Sequence, residues 1–440
     1  MMGPSRYLRR GFFQNVVVIM ASSGVAQIIT VGFSPLLSRL YGPDDFGFYG
    51  TFVSIAGVLG AAVTLQFSDA LMLPHTEEKA AGLFWAALVS TVAITALAGV
   101  LWLLFLPGWS GLLKFSSMRE WLWVVPFAAL LAGVNQTLIA WCARRKAFRR
   151  AATILVGRSI TANSGQAAAG VASWGGGGLI AGSLVGDAIA ALGLFFWVVR
   201  EDCGTLRAGA RRACVVDAVR EHKDFALYSA PQNLLNAISQ GAPVVMLVHY
   251  FGPAIGGIYA FAIRVLQFPM NFVLSSLNQV LFQKLSEVRN QGGDLVGHFA
   301  RTTCALLSIS LVPAVAGFFF APQLFGLAFG AKWVLAGKYA RWLLVWLVPG
   351  FCNLPAALAG RILGQQRNLL LFDLGLLWSR IAVLVIGGIF GTALQTIVMF
   401  SITGAVFNVI LILFIWNRLK QDYVSDVAFR NRRPAAGAAN

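Results

Sequence analysis

The chain has 440 residues, of which 58% are hydrophobic and 12% charged, with a mean hydropathy of +0.73. A soluble domain is about 45–50% apolar and about 25% charged, so this chain has too few polar groups to cover a water-facing surface and is not an ordinary soluble enzyme. The net charge of +17 would point to nucleic acid on a soluble protein; here it reads as membrane topology, with no nucleic-acid partner.

About 20 apolar residues cross a bilayer. Twelve such segments are expected, at 12–37, 48–73, 80–106, 121–142, 152–174, 177–199, 226–249, 256–282, 298–321, 340–360, 368–390 and 393–416. The fold class is therefore all-α and polytopic. The first apolar run is too long for a cleavable signal peptide and has no small-residue cleavage site after it, so it is read as an uncleaved span. Basic residues favour cytoplasmic loops. With the N-terminus inside, twenty-five of the 34 Lys and Arg fall on that side, among them Arg144, Arg145, Lys146, Arg149, Arg150 and the run from Arg200 to Lys223. Six fall outside: Arg39, Lys114, Arg119, Lys332, Lys338 and Arg341. Both termini are expected in the cytoplasm. The polar tail from about Asp422 is expected to be disordered. No disulfide framework is expected from the five cysteines, and no Cys/His cluster has metal-ligand spacing. No cofactor is implied.

A repeat organises the chain. Gly42-Pro43-x-x-x-Gly47-x-Tyr49 recurs as Gly252-Pro253-x-x-x-Gly257-x-Tyr259, 210 residues later. The helix before each motif carries a polar stripe: Ser23, Gln27, Thr30 and Ser34 in the first half, Ser229, Asn233, Asn236 and Gln240 in the second. Their spacing puts each stripe on one helix face. Two six-span halves keep the same orientation, a parallel repeat of the kind found in transporters. The expected division is a lobe at 1–199, a basic linker at 200–225, a second lobe at 226–416 and a tail at 417–440.

Apart from Arg301 and Arg341 at span ends, six charged residues fall inside spans: Asp69, Arg158, Asp187, Arg264, Asp373 and Arg380. Each costs roughly 2.5–3.5 kcal/mol at a helix centre, so such residues face a cavity or a partner. Arg264, Arg380 and Arg158, with Gln27, Asn233, Asn236 and Gln240, are the candidate substrate-binding residues of a cavity. Asp187 and Asp373 are candidates for ion coupling, although Asp187 and Arg158 lie at similar depth and are equally placed to pair. Asp69 reads as a solvated helix end. Guanidinium stays charged and holds phosphate bidentately, so three intramembrane arginines favour an anionic cargo. Gly178, Gly182 and Gly186 form a small-residue ridge suited to helix packing. The run Gly175 to Gly178 lacks the strand–helix context of a phosphate loop, and the Asn135-Gln136-Thr137 triplet lies in a span. No nucleophile–base constellation stands out.

These features meet in a resemblance. Asn15 to Gly47, above all Ser38-Arg39-Leu40-Tyr41-Gly42-Pro43-Asp44-Asp45-Phe46-Gly47, resembles the first helix and turn of the Wzx-type polysaccharide (O-antigen) flippases of the MOP exporter superfamily. Tyr259-Ala260-Phe261-Ala262-Ile263-Arg264-Val265-Leu266-Gln267-Phe268-Pro269 resembles their second-half signature, and Phe329-Gly330-Ala331-Lys332-Trp333 the segment before span 10. The chain departs at Gln66-Phe67-Ser68-Asp69, where such proteins often show Arg-Tyr-Glu. The resemblance implies a flippase, not an enzyme. It would carry undecaprenyl-diphosphate-linked oligosaccharide to the outer leaflet by alternating access, for lipopolysaccharide O-antigen or exopolysaccharide. It further implies Arg264 as a cavity cation, membrane lipid and other polysaccharide-assembly proteins as partners, and H+ or Na+ as coupling ion. Two alternatives stand beside it. Deep arginines oppose a multidrug-type cation antiporter of the same superfamily, and short external loops oppose a polysaccharide polymerase or ligase.

Overall fold

The computed structural model describes residues 24–112, 121, 123–290 and 294–431. A chain inside hydrocarbon must satisfy its backbone internally, which leaves helices as the solution for apolar runs of this length. The described residues form α1 (Gly24–Leu40), α2 (Pro43–Val63), the single turn α3 (Phe67–Ala70), α4 (Glu77–Leu112), α5 (Val125–Arg144), α6 (Phe148–Val171), α7 (Gly176–Gly209) and α8 (Arg212–Glu221). A π-helical turn (Phe225–Ser229) then leads into α9 (Ala230–Phe251), followed by α10 (Pro253–Asn290) and α11 (Leu295–Phe329). A 3-10 turn (Ala331–Trp333) precedes α12 (Val334–Cys352), α13 (Leu354–Ile362), α14 (Gln366–Phe390) and α15 (Ala393–Asn431). Among the described residues, ten helices or helix pairs are long and apolar enough to cross a membrane. The shorter α1 and the less hydropathic α6 occupy the other two expected positions. This is an all-α, multi-pass membrane protein.

Four expectations need adjustment. Span 2 is not continuous to residue 73: α2 stops at Val63, and Leu65 and Gln66 take left-handed φ values of 48° and 59°. That conformation is costly away from glycine, and nothing in the hydropathy announces it. Span 10 divides at Asn353, between α12 and α13. The stretch 200–225 is largely helical. It continues α7 to Gly209 and then forms α8, which packs against α4 so closely that a Cβ on Gly82 would lie 2.7 Å from the Cys214 carbonyl. The tail is helical through Asn431. Residues 1–23, with the start of span 1, Ser23, Arg6, Arg9 and Arg10, lie outside the described residues, as do Lys114, Arg119, Arg432 and Arg433.

The chain forms two compact units. The first comprises the residues up to Phe268 together with Phe325–Ala336; the second comprises Pro269–Leu324 and the residues from Gly337 onward. Within the first, the glycine ridge does what its spacing demands. Gly182 lies against Gln166, and Gly186 against Ala162 and the Arg158 carbonyl, so α7 and α6 touch backbone to backbone. At the end of α5, the buried Asp202 carboxylate accepts from the Trp141 indole at 3.0 Å and pairs with Arg145 at 2.5 Å. In the second unit, Phe299, Ala356, Ala359, Ile415 and Leu419 form a buried core. All five cysteines are free.

The two repeat motifs serve as helix starts and lie against each other. Pro43 opens α2, where its missing N–H is no loss, and Asp45 accepts the Gly42 N–H at 2.8 Å. Pro253 opens α10 after Gly252, whose φ of +92° calls for glycine. A side chain on Gly47 would run into the Pro253 carbonyl, and one on Gly257 would run into the Pro43 carbonyl. The approach is reciprocal: each motif's second glycine accepts the other's proline. One turn along, a Cβ on Gly50 would lie 2.9 Å from the Ala260 methyl. The chain around this crossing is held by further bonds. Lys332 donates to the Tyr41 carbonyl at 2.7 Å, and the Trp333 indole to the Ser38 carbonyl at 3.0 Å. The rings of Phe46, Phe261 and Trp333 pack with centroids 4.1–5.2 Å apart.

This geometry sets an expectation for three glycines. Gly47→Ala and Gly257→Ala should each destabilise the detergent-purified protein by about 1–3 kcal/mol, as overpacking does. Gly57→Ala, with nothing within 4 Å of the new methyl, should leave thermal unfolding unchanged or raise it. Equal melting of all three variants would refute the close crossing.

Candidate functional site

Beneath the crossing, α2 and α9 run alongside each other. A Cβ on Gly50 would lie 3.2 Å from Val244, one on Gly241 would lie 3.2 Å from Ser54, and Asn233 donates to the Ala61 carbonyl at 3.5 Å. That carbonyl is available because α2 ends two residues later; the buried Gln66 amide also donates to it, at 3.2 Å. The broken end of α2 is thus capped by side chains, one of them from the second half of the repeat.

Arg264 follows Gly257 by seven residues on α10, about 10 Å further along the helix. Helical spacing keeps it on the face of Gly257 and Ala260, the face that meets α2 at the crossing. It is half-buried, and its guanidinium meets no carboxylate among the described residues. A charge held this way inside a membrane is costly unless a cavity or a ligand accommodates it.

The other arginines have partners. Arg158 on α6 pairs through Nε with Asp187 on α7, and Asn135 on α5 holds that residue from behind by donating to the Asp187 backbone carbonyl at 2.9 Å. The ion-coupling candidate Asp187 is therefore engaged by Arg158, whose side chain is 47% exposed. Sequence reading gave Asn135 no role, and no spacing would have revealed it, since the bond runs to a backbone atom 52 residues away. Arg380 lies in the second unit, only 7% exposed, with its guanidinium 4.8 Å from the Trp346 ring centroid and 4.7 Å from that of Phe400. A desolvated cation over an aromatic face gains about 2 kcal/mol, and two faces clasp this one. Gly404 leaves it room: a Cβ there would lie 3.1 Å from Nη2. Asp373 is exposed near the start of α14, and Asp69 is exposed in α3.

The two polar stripes differ. In α1, Thr30 and Ser34 bond to helix carbonyls of their own turn at 3.0 and 2.9 Å, and Asn163 of α6 donates to the Thr30 hydroxyl at 3.3 Å. This stripe is largely spent on helix packing. Gln27 is half-buried, with an oxygen lacking a partner among the described residues. In α9, by contrast, Asn236 and Gln240 are exposed. Identical spacing in the sequence thus leads to two environments, because α1 has α6 against it and this face of α9 is open.

A family model described as polysaccharide biosynthesis protein matches residues 36–337. No curated protein sequence matches the chain. Among solved structures, the lipid II flippase MurJ in an inward closed conformation superposes with a TM-score of 0.72 at 11% identity, covering 93% of this chain and 91% of that one. A multidrug resistance MATE family transporter of the MOP superfamily, facing inward, gives 0.64 at 14%, covering 92% and 94%. A MOP superfamily transporter from Pyrococcus furiosus gives 0.54 at 15%, covering 92% and 94%. At these identities the likeness is one of fold, the fold that these transporters share. The family model spans about two thirds of the chain, both repeat motifs and Arg264 included, and the chain belongs to the polysaccharide biosynthesis protein family.

Proposed function

We propose that this protein is a flippase for lipid-linked oligosaccharide, moving undecaprenyl-diphosphate-linked repeat units from the inner to the outer leaflet of a bacterial inner membrane. The product would serve surface polysaccharide such as O-antigen or exopolysaccharide. The observation that carries this reading is Arg264: a half-buried intramembrane cation with no carboxylate against it among the described residues, in a chain of the polysaccharide biosynthesis family. A permanent planar cation favours a diphosphate and disfavours a cationic drug. An anion leaving an inside-negative cell also gains roughly 2.3 kcal/mol per charge per 100 mV.

Two six-helix lobes, 1–199 and 226–416, would alternate access to the site. Arg158 would offer the terminal nitrogens that its bond to Asp187 leaves over. Arg380, clasped by two rings, would act through the packing of its helices. Asp373, which is exposed, and Asp187, which pairs with Arg158, are the carboxylates proposed for a coupling H+ or Na+.

Two outcomes are expected. In a deletion strain, surface polysaccharide disappears and lipid-linked units collect on the inner leaflet. Wild-type protein restores it, whereas Arg264→Ala at matched protein level does not. Normal surface polysaccharide in that variant would remove the role given to Arg264. For topology, alkaline phosphatase fused after Lys338 should be active and after Lys223 inactive; the reverse pattern would invert the orientation.

A further inference from the structure

The helix α9 has a face that membrane physics does not explain. Its span, Phe225–Phe251, has a mean hydropathy of 1.2, the lowest of the ten, and only 22% of its most apolar window is buried. A poorly buried helix in a bilayer normally shows apolar side chains to lipid. This one exposes Tyr228 (72%), Gln232, Asn236 and Gln240, at intervals of four residues. Unpartnered amides in hydrocarbon would each cost several kcal/mol, so this face meets water. Tyr228 lies in the π-helical turn Phe225–Ser229, and such turns cluster at functional sites. From Tyr228 to Gln240 the row extends about 18 Å.

Its chemistry selects a ligand. Between Phe225 and Val248 no side chain other than the Tyr228 phenol is ionisable. Each amide offers two donors and one acceptor oxygen, and Tyr228 adds an apolar ring face with a polar tip. Neutral, bifunctional hydrogen-bonding groups in a row suit a neutral chain dense in hydroxyls, not a phosphate and not an acyl chain. We propose that the exposed face of α9 (Tyr228, Gln232, Asn236 and Gln240) binds the sugar residues of the lipid-linked substrate, separately from the diphosphate taken by Arg264. The inference rests on the flippase reading and names the part of the cargo that this helix reads. Replacing these side chains then changes which glycan is accepted while leaving recognition of the lipid diphosphate intact.

The test uses full-length protein in lipid nanodiscs and two probes. One is undecaprenyl diphosphate without sugar. The other is the same lipid carrying the native repeat unit, isolated from the deletion strain. The triple variant Gln232→Ala, Asn236→Ala, Gln240→Ala should bind the bare lipid as wild type does. It should bind the glycan-bearing lipid about tenfold or more weakly, since each lost hydrogen bond is worth about 1 kcal/mol. Tyr228→Leu, a single exposed substitution that keeps the amides, should show the same selective loss to a smaller degree. Unchanged binding of both probes by both variants would overturn the proposal. Equal loss of both probes in both variants would also overturn it, because the face would not discriminate glycan from lipid. If wild-type protein binds neither probe, or the deletion strain accumulates no lipid-linked unit, the flippase reading fails and the proposal with it.

Discussion

The crossing of the two repeat motifs in the first unit depends on one steric condition. Two helix starts approach until the α-carbon of a glycine in each meets the proline carbonyl of the other. Neither helix can be moved outward without leaving a gap, and neither glycine can carry a side chain. The condition fixes the separation of α2 and α10 at one end and leaves their other ends free to diverge. Arg264 sits two turns along α10 from that fixed point, where its position is determined by backbone contact and not by long, mobile side chains. Lys332, Trp333 and the rings of Phe46 and Phe261 surround the same point, so the chain that follows α11 is drawn into it.

The intramembrane charges are managed in three distinct ways. The Arg158–Asp187 pair neutralises itself across two adjacent helices. Arg380 is shielded by the faces of two aromatic rings. Arg264 is left without a carboxylate among the described residues. A buried pair or a clasped cation serves its helices, because removing one partner strands the other. A charge without such an arrangement has no protein carboxylate or ring clasp to offset its burial. The three arginines look alike on a hydropathy plot, and their surroundings separate them into one paired with a carboxylate, one held between rings and one with neither.

Much of this was legible in the residues. Apolar length and loop charge located the helices, since a bilayer enforces both. The 210-residue repeat identified the two elements that cross, and the Gly178–Gly182–Gly186 spacing anticipated the α6–α7 contact. Other features depended on tertiary context. The break after Val63 places two non-glycine residues in left-handed geometry, which no local propensity favours. The aromatic clasp of Arg380 joins residues from three helices, and the clamp on Asp187 runs through a backbone carbonyl. The α1 and α9 stripes are indistinguishable as patterns, and only the helix packed against α1 separates the bonded stripe from the exposed one. The cargo class proposed here rests on the family resemblance, since spacing alone would have left it at an anion.

The reciprocal crossing also carries a historical consequence. A contact in which the second glycine of each motif meets the proline of the other is the contact that two identical chains make across a two-fold axis. A half-length ancestor paired with a second copy of itself would have met the steric demand with a single glycine, because one codon served both sides. Fusion of two such copies into one chain would have divided that obligation between Gly47 and Gly257, leaving the two sides to diverge everywhere else. The first polar stripe turned inward to bind helices together while the second stayed open, an asymmetry that a true dimer cannot evolve.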